Sequence, residues 1–411
     1  MIFGLDAFEM GAFADAADEF QLLAKEYDKD AFLGHAEAGM AWHVQGNLKK
    51  SAASWLRASK ILEKYQDRPT ISGRTTTESI ASGLLNDKSL FYDGEDFEIS
   101  LLHAFLAWDF LRLGQHDDAL VEIRQGYQIQ EQAEARYETT YGMNRFTHFL
   151  AAVIQETHGN LDDARIDLER LAKDLPDHPL VQEAQTRNTA LLQGNVEEAS
   201  KAEVFLVLER GRVAEKIAKE FFYETKQSVG RLSLPAFGSP PPVAQALELR
   251  IDGKFVGKTI PLERVFNVAK ANLEDRMGWI ATKSIGRAAA KTIFVDKAAK
   301  HIEKKEEDEG LSDLMRVLGS IFVIATERAD LRSWMTLPLS LDVLRLHLPP
   351  GDYHFTLHLV GAPSGRKKNT SVDLGIIQCR AGSPVWMSAR SLGPRLFATA
   401  HNSNPLSSLQ P

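Results

Sequence analysis

The chain has 411 residues, 44% hydrophobic and 25% charged; this is the make-up of a folded globular protein with room for two or three cores, and it excludes wholesale disorder and fibrous repeats. With 48 Lys and Arg against 56 Asp and Glu the net charge is -8, which argues against a surface built to neutralise many phosphates and so against nucleic acid as a partner. Cys379 is the only cysteine, so an intrachain disulfide framework and a cysteine-rich zinc site are excluded.

No run approaches the ~18 apolar residues of a membrane-spanning helix, and the start shows neither a basic region followed by an apolar one nor a lipid-bearing cysteine. Two compartments stay open: the cytoplasm, or the cell envelope if a leader has been removed.

From the N-terminus a repeat is visible: Gly, any residue, a bulky residue, two more, then a small residue. It occurs at Gly11, Phe13, Ala16; Gly46, Leu48, Ser51; Gly114, His116, Ala119; Gly159, Leu161, Ala164; and Gly194, Val196, Ala199. Four residues after the small one comes Phe20, Trp55, Ile123 or Leu168, the spacing of one helix face. An apolar stretch such as Ala36 to Val44 or Leu101 to Leu113 precedes each interior glycine and reads as a partner helix. Glycine permits the sharp turn, the small residue lets two helices approach, and the bulky residue fills the gap to the next hairpin. The pattern matches the tetratricopeptide (TPR) consensus in four units. A fifth has its first helix and a stub, and an irregular insert spans about 67–96.

From Glu203 the texture changes to short apolar runs bounded by Gly, Pro and Ser: Val204 to Leu208, Ala246 to Ile251, Leu341 to Leu348, Tyr353 to Val360, Val372 to Cys379 and Pro384 to Ala389. Alternation in Tyr353 to Val360 predicts a strand, Asp252-Gly253 a hairpin turn, and Pro349-Pro350-Gly351 a turn before the next strand. A helical insertion is expected at about 262–325. The fold class is therefore α+β: a TPR-like α-solenoid over 1–202, then an antiparallel β-domain over 203–400 carrying that insertion, with 401–411 as a flexible tail.

Two segments go beyond generic repeat composition. The first runs through Tyr92-Asp-Gly-Glu-Asp-Phe-Glu98, Ala107-Trp-Asp-Phe-Leu-Arg-Leu-Gly114 and Ala119-Leu-Val-Glu-Ile-Arg124; the second is Ala329-Asp-Leu-Arg-Ser-Trp-Met-Thr-Leu-Pro338, followed by Arg345 and Leu348-Pro-Pro-Gly351. With Leu208-Glu-Arg-Gly211, Arg276 and Arg287 they resemble a family of uncharacterised bacterial cell-envelope TPR proteins, many of them predicted lipoproteins. The resemblance covers about residues 80 to 360 and implies a periplasmic setting connected with peptidoglycan synthesis.

Chemistry-bearing motifs are sparse. His354 and His358 share a strand face without further metal ligands, Cys379 lies in an apolar run as a small hydrophobe, and Gly253 to Thr259 lacks the spacing of a phosphate loop. No cofactor, catalytic or metal site is assigned. Arg328, Asp330, Arg332 and Trp334 form either a polar latch between the insertion and the β-domain or an anion-binding surface stacked on the indole. Tyr92, Glu95 and Glu98 brace the following helix or meet a partner. Candidate groove residues on the first helix of each hairpin are His35, Trp42, His103, Trp108, Asn144 and His148. Lys283, Arg287 and Lys291 recur every four residues, as a solvated face or as a contact for anionic headgroups or an acidic partner. The function these features point to is non-enzymatic protein–protein interaction, with a structural subunit of an envelope assembly as the alternative. An enzyme with a site at the junction, using Arg328, Asp330 and Glu98, is a third reading; it requires a deep pocket there.

Overall fold

A computed structural model describes residues 2–66, 91–137, 144–224, 229–285, 329–365 and 369–402. The N-terminal part is helical: α1 Ile2–Met10, α2 Phe13–Glu26, α3 Ala31–Gln45, α4 Leu48–Gln66, α5 Asp96–Arg112, α6 His116–Tyr137, α7 Arg145–Thr157, α8 Leu161–Asp174, α9 Pro179–Leu192 and the four-residue α10 Val196–Ala199. All five repeat glycines sit in the left-handed region, at φ from +75° to +86°, where a side chain would be strained. Ala16, Ser51, Ala119 and Ala164 are fully buried, and Phe20, Trp55, Ile123 and Leu168 are buried beside them. The spacing thus places both the turn and the packing face of each hairpin. Ala199 is exposed, as befits a stub.

The strands are β1 Ala202–Arg210, β2 Lys216–Glu224, β3 Val229–Phe237, β4 Ala246–Ile251, β5 Lys254–Lys258, β6 Ile260–Glu263, β7 Ser340–Leu348, β8 Gly351–Val360, β9 Ser371–Cys379, β10 Val385–Leu392 and β11 Arg395–Asn402, with helix α11 Val265–Ile285 between β6 and β7. They form a five-stranded sheet in the order β11-β10-β1-β7-β6, a four-stranded sheet in the order β5-β4-β8-β9, and the two-stranded ribbon β2-β3. Pairing is antiparallel except at the centre of the larger sheet, where β1 runs parallel to β10. The expectation of a purely antiparallel domain is corrected there. Asp252 and Gly253 both take positive φ in the β4–β5 turn, the conformation that makes Asp-Gly a hairpin signal.

Burial is layered. β1 and β10 are buried along nearly their whole length, because the larger sheet is covered on both faces. Val204, Leu206, Leu208, Val385 and Met387 meet Leu247, Leu249, Phe355 and Leu357 of the smaller sheet. Phe205, Val207, Leu341, Val343 and Trp386 face the opposite way and join one continuous core with the helices. At its centre Trp108 of α5 lies 5.5 Å from Phe205 and 5.7 Å from Trp386. The result is three layers: helices, five strands, four strands.

Several boundaries differ from expectation. His401 and Asn402 complete β11 and are not part of a tail. The insert expected through 96 gives way at Asp96, where α5 begins; residues 67–90 lie outside the described residues. Of the helical insertion, α11 is described to Ile285, and 286–328 lie outside.

Candidate functional site

The helix-facing side of the larger sheet is aromatic in the middle and charged toward its ends. Strand alternation aims Glu203 and Glu209 of β1, Arg345 of β7, and Ser388 and Arg390 of β10 at the helices. Three polar clusters result.

At one end His43 of α3 stands between two carboxylates, with Nδ1 2.6 Å from Asp109 Oδ1 on α5 and Nε2 2.6 Å from Glu209 Oε1. Ser388 Oγ donates to Glu209 at 3.0 Å, and Arg390 reaches the other oxygen at 3.3 Å and the Thr336 carbonyl at 2.7 Å. Arg112 lies 3.5 Å from Asp109 and donates to Thr399 Oγ1 of β11 at 2.6 Å. Burial alone would lower the His43 pKa, but Asp109 and Glu209 outweigh it and hold the ring up at about 9. Burial likewise works to raise Glu209, and His43 and Arg390 override it to bring the carboxyl down to about 2.

At the other end Arg345 joins Glu203 (2.6 Å) to Glu156 of α7 (2.9 Å), and Arg187 of α9 joins Glu156 at 2.8 Å. Glu156, Glu203 and His347 bring three metal-type ligand atoms within 4.8 Å of one another. Both carboxylates are already neutralised by guanidinium groups, and burial together with Arg345, Arg187 and Lys201 pushes His347 down to about 2. This is the chemistry of a clasp between helix and sheet rather than a cation cage.

The third cluster holds the extended segment that leads into β7. Glu98 of α5 accepts the Trp334 N–H at 2.7 Å, and Glu37 of α3 accepts those of Met335 (2.6 Å) and Thr336 (3.1 Å) and bonds the Thr336 hydroxyl. Burial pushes both carboxyls up to about 7 against these donors. Arg332 pairs with Asp330 (2.7 Å) and with Asp30 (2.8 Å) and lies over the Tyr92 ring. Glu95 takes Lys216 at 2.7 Å and Arg276 at 3.4 Å. Glu98 also accepts from Tyr92 at 2.7 Å and from the Glu95 N–H at 3.0 Å, the returning half of a capping box for α5.

Among the described residues this segment fastens to the helical array, through Asp30, Glu37 and Glu98; the insertion side of the expected latch, beyond Ile285, lies outside the described residues. Trp334 is fully buried, 6.1 Å from Trp55 and 6.3 Å from Phe105, so the anion-stacking surface is corrected to a packed indole. Tyr92, Glu95 and Glu98 do brace the helix. Arg328 lies outside the described residues, as do Arg287 and Lys291; Lys283 belongs to α11.

The open groove is corrected too. Trp108 is covered by the sheet. His103 bonds Glu122 at 2.7 Å, and His148 bonds Asp167 at 3.0 Å and stacks on Tyr127. Asn144 caps α7 and donates to Ser100; Trp42 is buried under Lys50; His35 is half-buried. The inward faces of α3, α5 and α7 pack on the chain's own strands or their neighbouring helices.

Outside these clusters, His354 pairs with Asp373 at 2.8 Å on the smaller sheet. Cys379 is buried, and burial pushes its thiol up to about 11, which leaves it unreactive. Among the described residues the junction encloses a cavity of about 20 Å³, lined by Asp96, Ser100, Asn144 and Glu263 with apolar neighbours, room for roughly one water. An open depression of about 440 Å³ lies on the surface beside Gln45, Asn47, Lys49 and His401.

Sequence reasoning passed over Glu37, His43, Lys216 and Arg390. The available signal was a charge inside an apolar stretch, as with Glu37 and His43 between Ala36 and Val44. The family-like segments did contain Trp108, Asp109, Glu209, Arg276, Arg332, Trp334 and Arg345, and the fold gathers all of them at the seam between helices and strands. Among the described residues no helix is long and apolar enough to cross a membrane. Compared with known proteins, the chain matches no family model, no curated protein and no solved structure.

Proposed function

We propose that the chain is a non-enzymatic protein–protein interaction scaffold of the bacterial cell envelope: a TPR-like α-solenoid fused to a β-domain, presenting protein-binding surfaces on its outside. The observation that carries this is the filled seam among the described residues. There the ionisable groups are engaged with one another and with backbone N–H groups, and the cavity beside Asp96 and Glu263 holds about one water, whereas a junction enzyme needs a cleft into which such groups converge. The five glycine turns and small-residue contacts support the solenoid reading, and the envelope setting follows from the sequence resemblance. The net charge of -8 speaks for protein rather than nucleic acid as partner.

Since the inner helix faces are covered, partner contact falls to outer positions. Leu56 and Val121 on second helices, and Phe255 and Ile376 on outer strands, are exposed apolar side chains. A photo-crosslinking residue placed at each position, in the native cell, is expected to give a defined adduct from one of the two faces and not the other. Loss of that adduct on a charge substitution one helical turn away, or two residues along the strand, completes the test. No adduct from either face would overturn the reading.

A second reading, a structural subunit of a larger envelope assembly, is favoured by the exposure of Phe255 (57%) and Ile376 (75%) on β5 and β9, at the two edges of the smaller sheet. It expects self-association in light scattering that Phe255→Lys with Ile376→Lys abolishes. A strict monomer at high concentration rejects it.

A further inference from the structure

His43 joins three elements through one ring. It is carried by α3, and both its nitrogens lie 2.6 Å from carboxylate oxygens, one on α5 and one on β1, with the side chains of all three residues excluded from water. A neutral imidazole has one N–H and one bare nitrogen, and a carboxylate only accepts. With His43 neutral, one contact would set a lone pair against a carboxylate oxygen at hydrogen-bond distance, between side chains that are buried on all three elements. Two short contacts to two acceptors call for two protons.

The surroundings do not supply those protons by another route. Arg390 of β10 touches Glu209 at 3.3 Å while its shorter bond goes to the Thr336 carbonyl. Arg112 of α5 touches Asp109 at 3.5 Å while its shorter bond goes to Thr399. Ser388 donates to the Glu209 oxygen that also meets His43. His401 of β11 lies within electrostatic reach of Arg112, Asp109 and His43 and, held down by its partial burial and by that guanidinium, sits at about 4. Glu37, on the same helix as His43, is turned to the segment before β7. Two guanidinium groups thus balance two carboxylates in charge, but the shortest contacts on those carboxylates belong to the imidazole.

We propose that His43 is an imidazolium clasp, protonated at neutral pH, that pins α3 and α5 to β1, and that losing its proton in alkaline solution loosens the seam between the helical and β halves. The folded ring keeps its proton to about 9, above the ordinary histidine value, so the clasp is complete below the ordinary value of 6.5 and is lost as pH rises through about 9. The group reports on itself, because the Trp55 ring lies 5.4 Å from His43 and Phe105 lies 5.5 Å away.

The test uses the intact chain with ¹⁵N-labelled histidine. One imidazole is expected to show two protonated nitrogens at pH 8, where ordinary histidines are neutral, and to lose one with a midpoint near 9. Tryptophan emission is expected to rise over the same interval as the quenching cation disappears, and the rise is expected to vanish in Trp55→Phe and in His43→Gln. An NMR spectrum in which every imidazole is neutral at pH 8 overturns the proposal, as does an unchanged alkaline step in His43→Gln. If His43→Gln fails to fold, the wild-type nitrogen spectrum alone decides.

Discussion

Arg345 and Arg165 each contact two carboxylates, yet they differ greatly in what they contribute. Arg165 bridges Asp162 and Glu169 on the open face of α8, where water and salt screen the pairs; Arg165→Ala is expected to leave the urea midpoint unchanged. Arg345 is buried between Glu203 and Glu156, and its removal strands charge in the core. Arg345→Ala is expected to cost about 3–5 kcal/mol, read from urea denaturation of both variants. Titration is the second test at this scale. Glu37, Glu98 and Glu263 are each pushed up by burial from 4.5 to about 7, so between those values the folded chain keeps protons that the unfolded chain has released. Stability therefore falls as pH rises through that window, and His43 continues the fall toward 9. Glu209 acts in the opposite sense, its contribution present above 4.5 and lost as pH falls toward 2. The urea midpoint is expected to peak near pH 5 and to decline by pH 9; a flat profile across that range would remove these groups from the account. These residues were hard to read from the sequence because their partners are remote, as with His43 and Glu209, 166 positions apart. A charge inside an apolar run marks a buried partner without naming it.

The helices were legible because each hairpin is marked locally, by a glycine and by the small residue behind it. Two glycines, one inside a helix and one at a hairpin turn, separate close packing from backbone conformation. At Gly39 of α3 a Cβ would lie 2.3 Å from the Trp55 indole nitrogen; Gly39→Ala is expected to displace that ring and cost about 1–3 kcal/mol. At Gly159 a Cβ would meet nothing, and the penalty lies in φ +79° alone, about 1–2 kcal/mol. Thermal melts, with the Trp55 environment followed by near-ultraviolet circular dichroism, separate the two: the signal changes in the first variant and not in the second. The strands were less legible where local preference and environment disagree. β2, Lys-Ile-Ala-Lys-Glu-Phe-Phe-Tyr-Glu, is rich in helix formers. β6 contains Pro261, which reads as a turn and is admitted because β6 lies at the edge of its sheet. β11 ends in Ala-Thr-Ala-His-Asn, whose weak strand preference suggests fraying, yet it is fixed by pairing along β10. The groove residues misled for a related reason: one face of a helix looks the same in sequence whether a partner or the chain's own sheet covers it.

A core that runs from the first helix to the last strands makes the helical half a poor independent unit. Residues 1–201 alone would expose Phe105, Trp108 and Phe149, which the whole chain buries. That fragment is expected to bind a hydrophobic dye and aggregate, while the whole chain unfolds with coincident far- and near-ultraviolet transitions; a soluble, cooperatively folded fragment would contradict the shared core. The parallel pairing of β1 with β10 adds a consequence in time. β1 lies at 202–210 and its central neighbour at 385–392, so roughly 180 residues must leave the ribosome between them, on the order of 10–40 s at ordinary elongation rates. During that interval the nascent helices carry a bare aromatic face, and β1 presents an unfilled edge in the middle of what will become the sheet. Slow translation, or a truncation anywhere before Val385, would prolong a state that attracts chaperones and proteases. For this topology, the quality of the final strands decides the fate of helices made long before them.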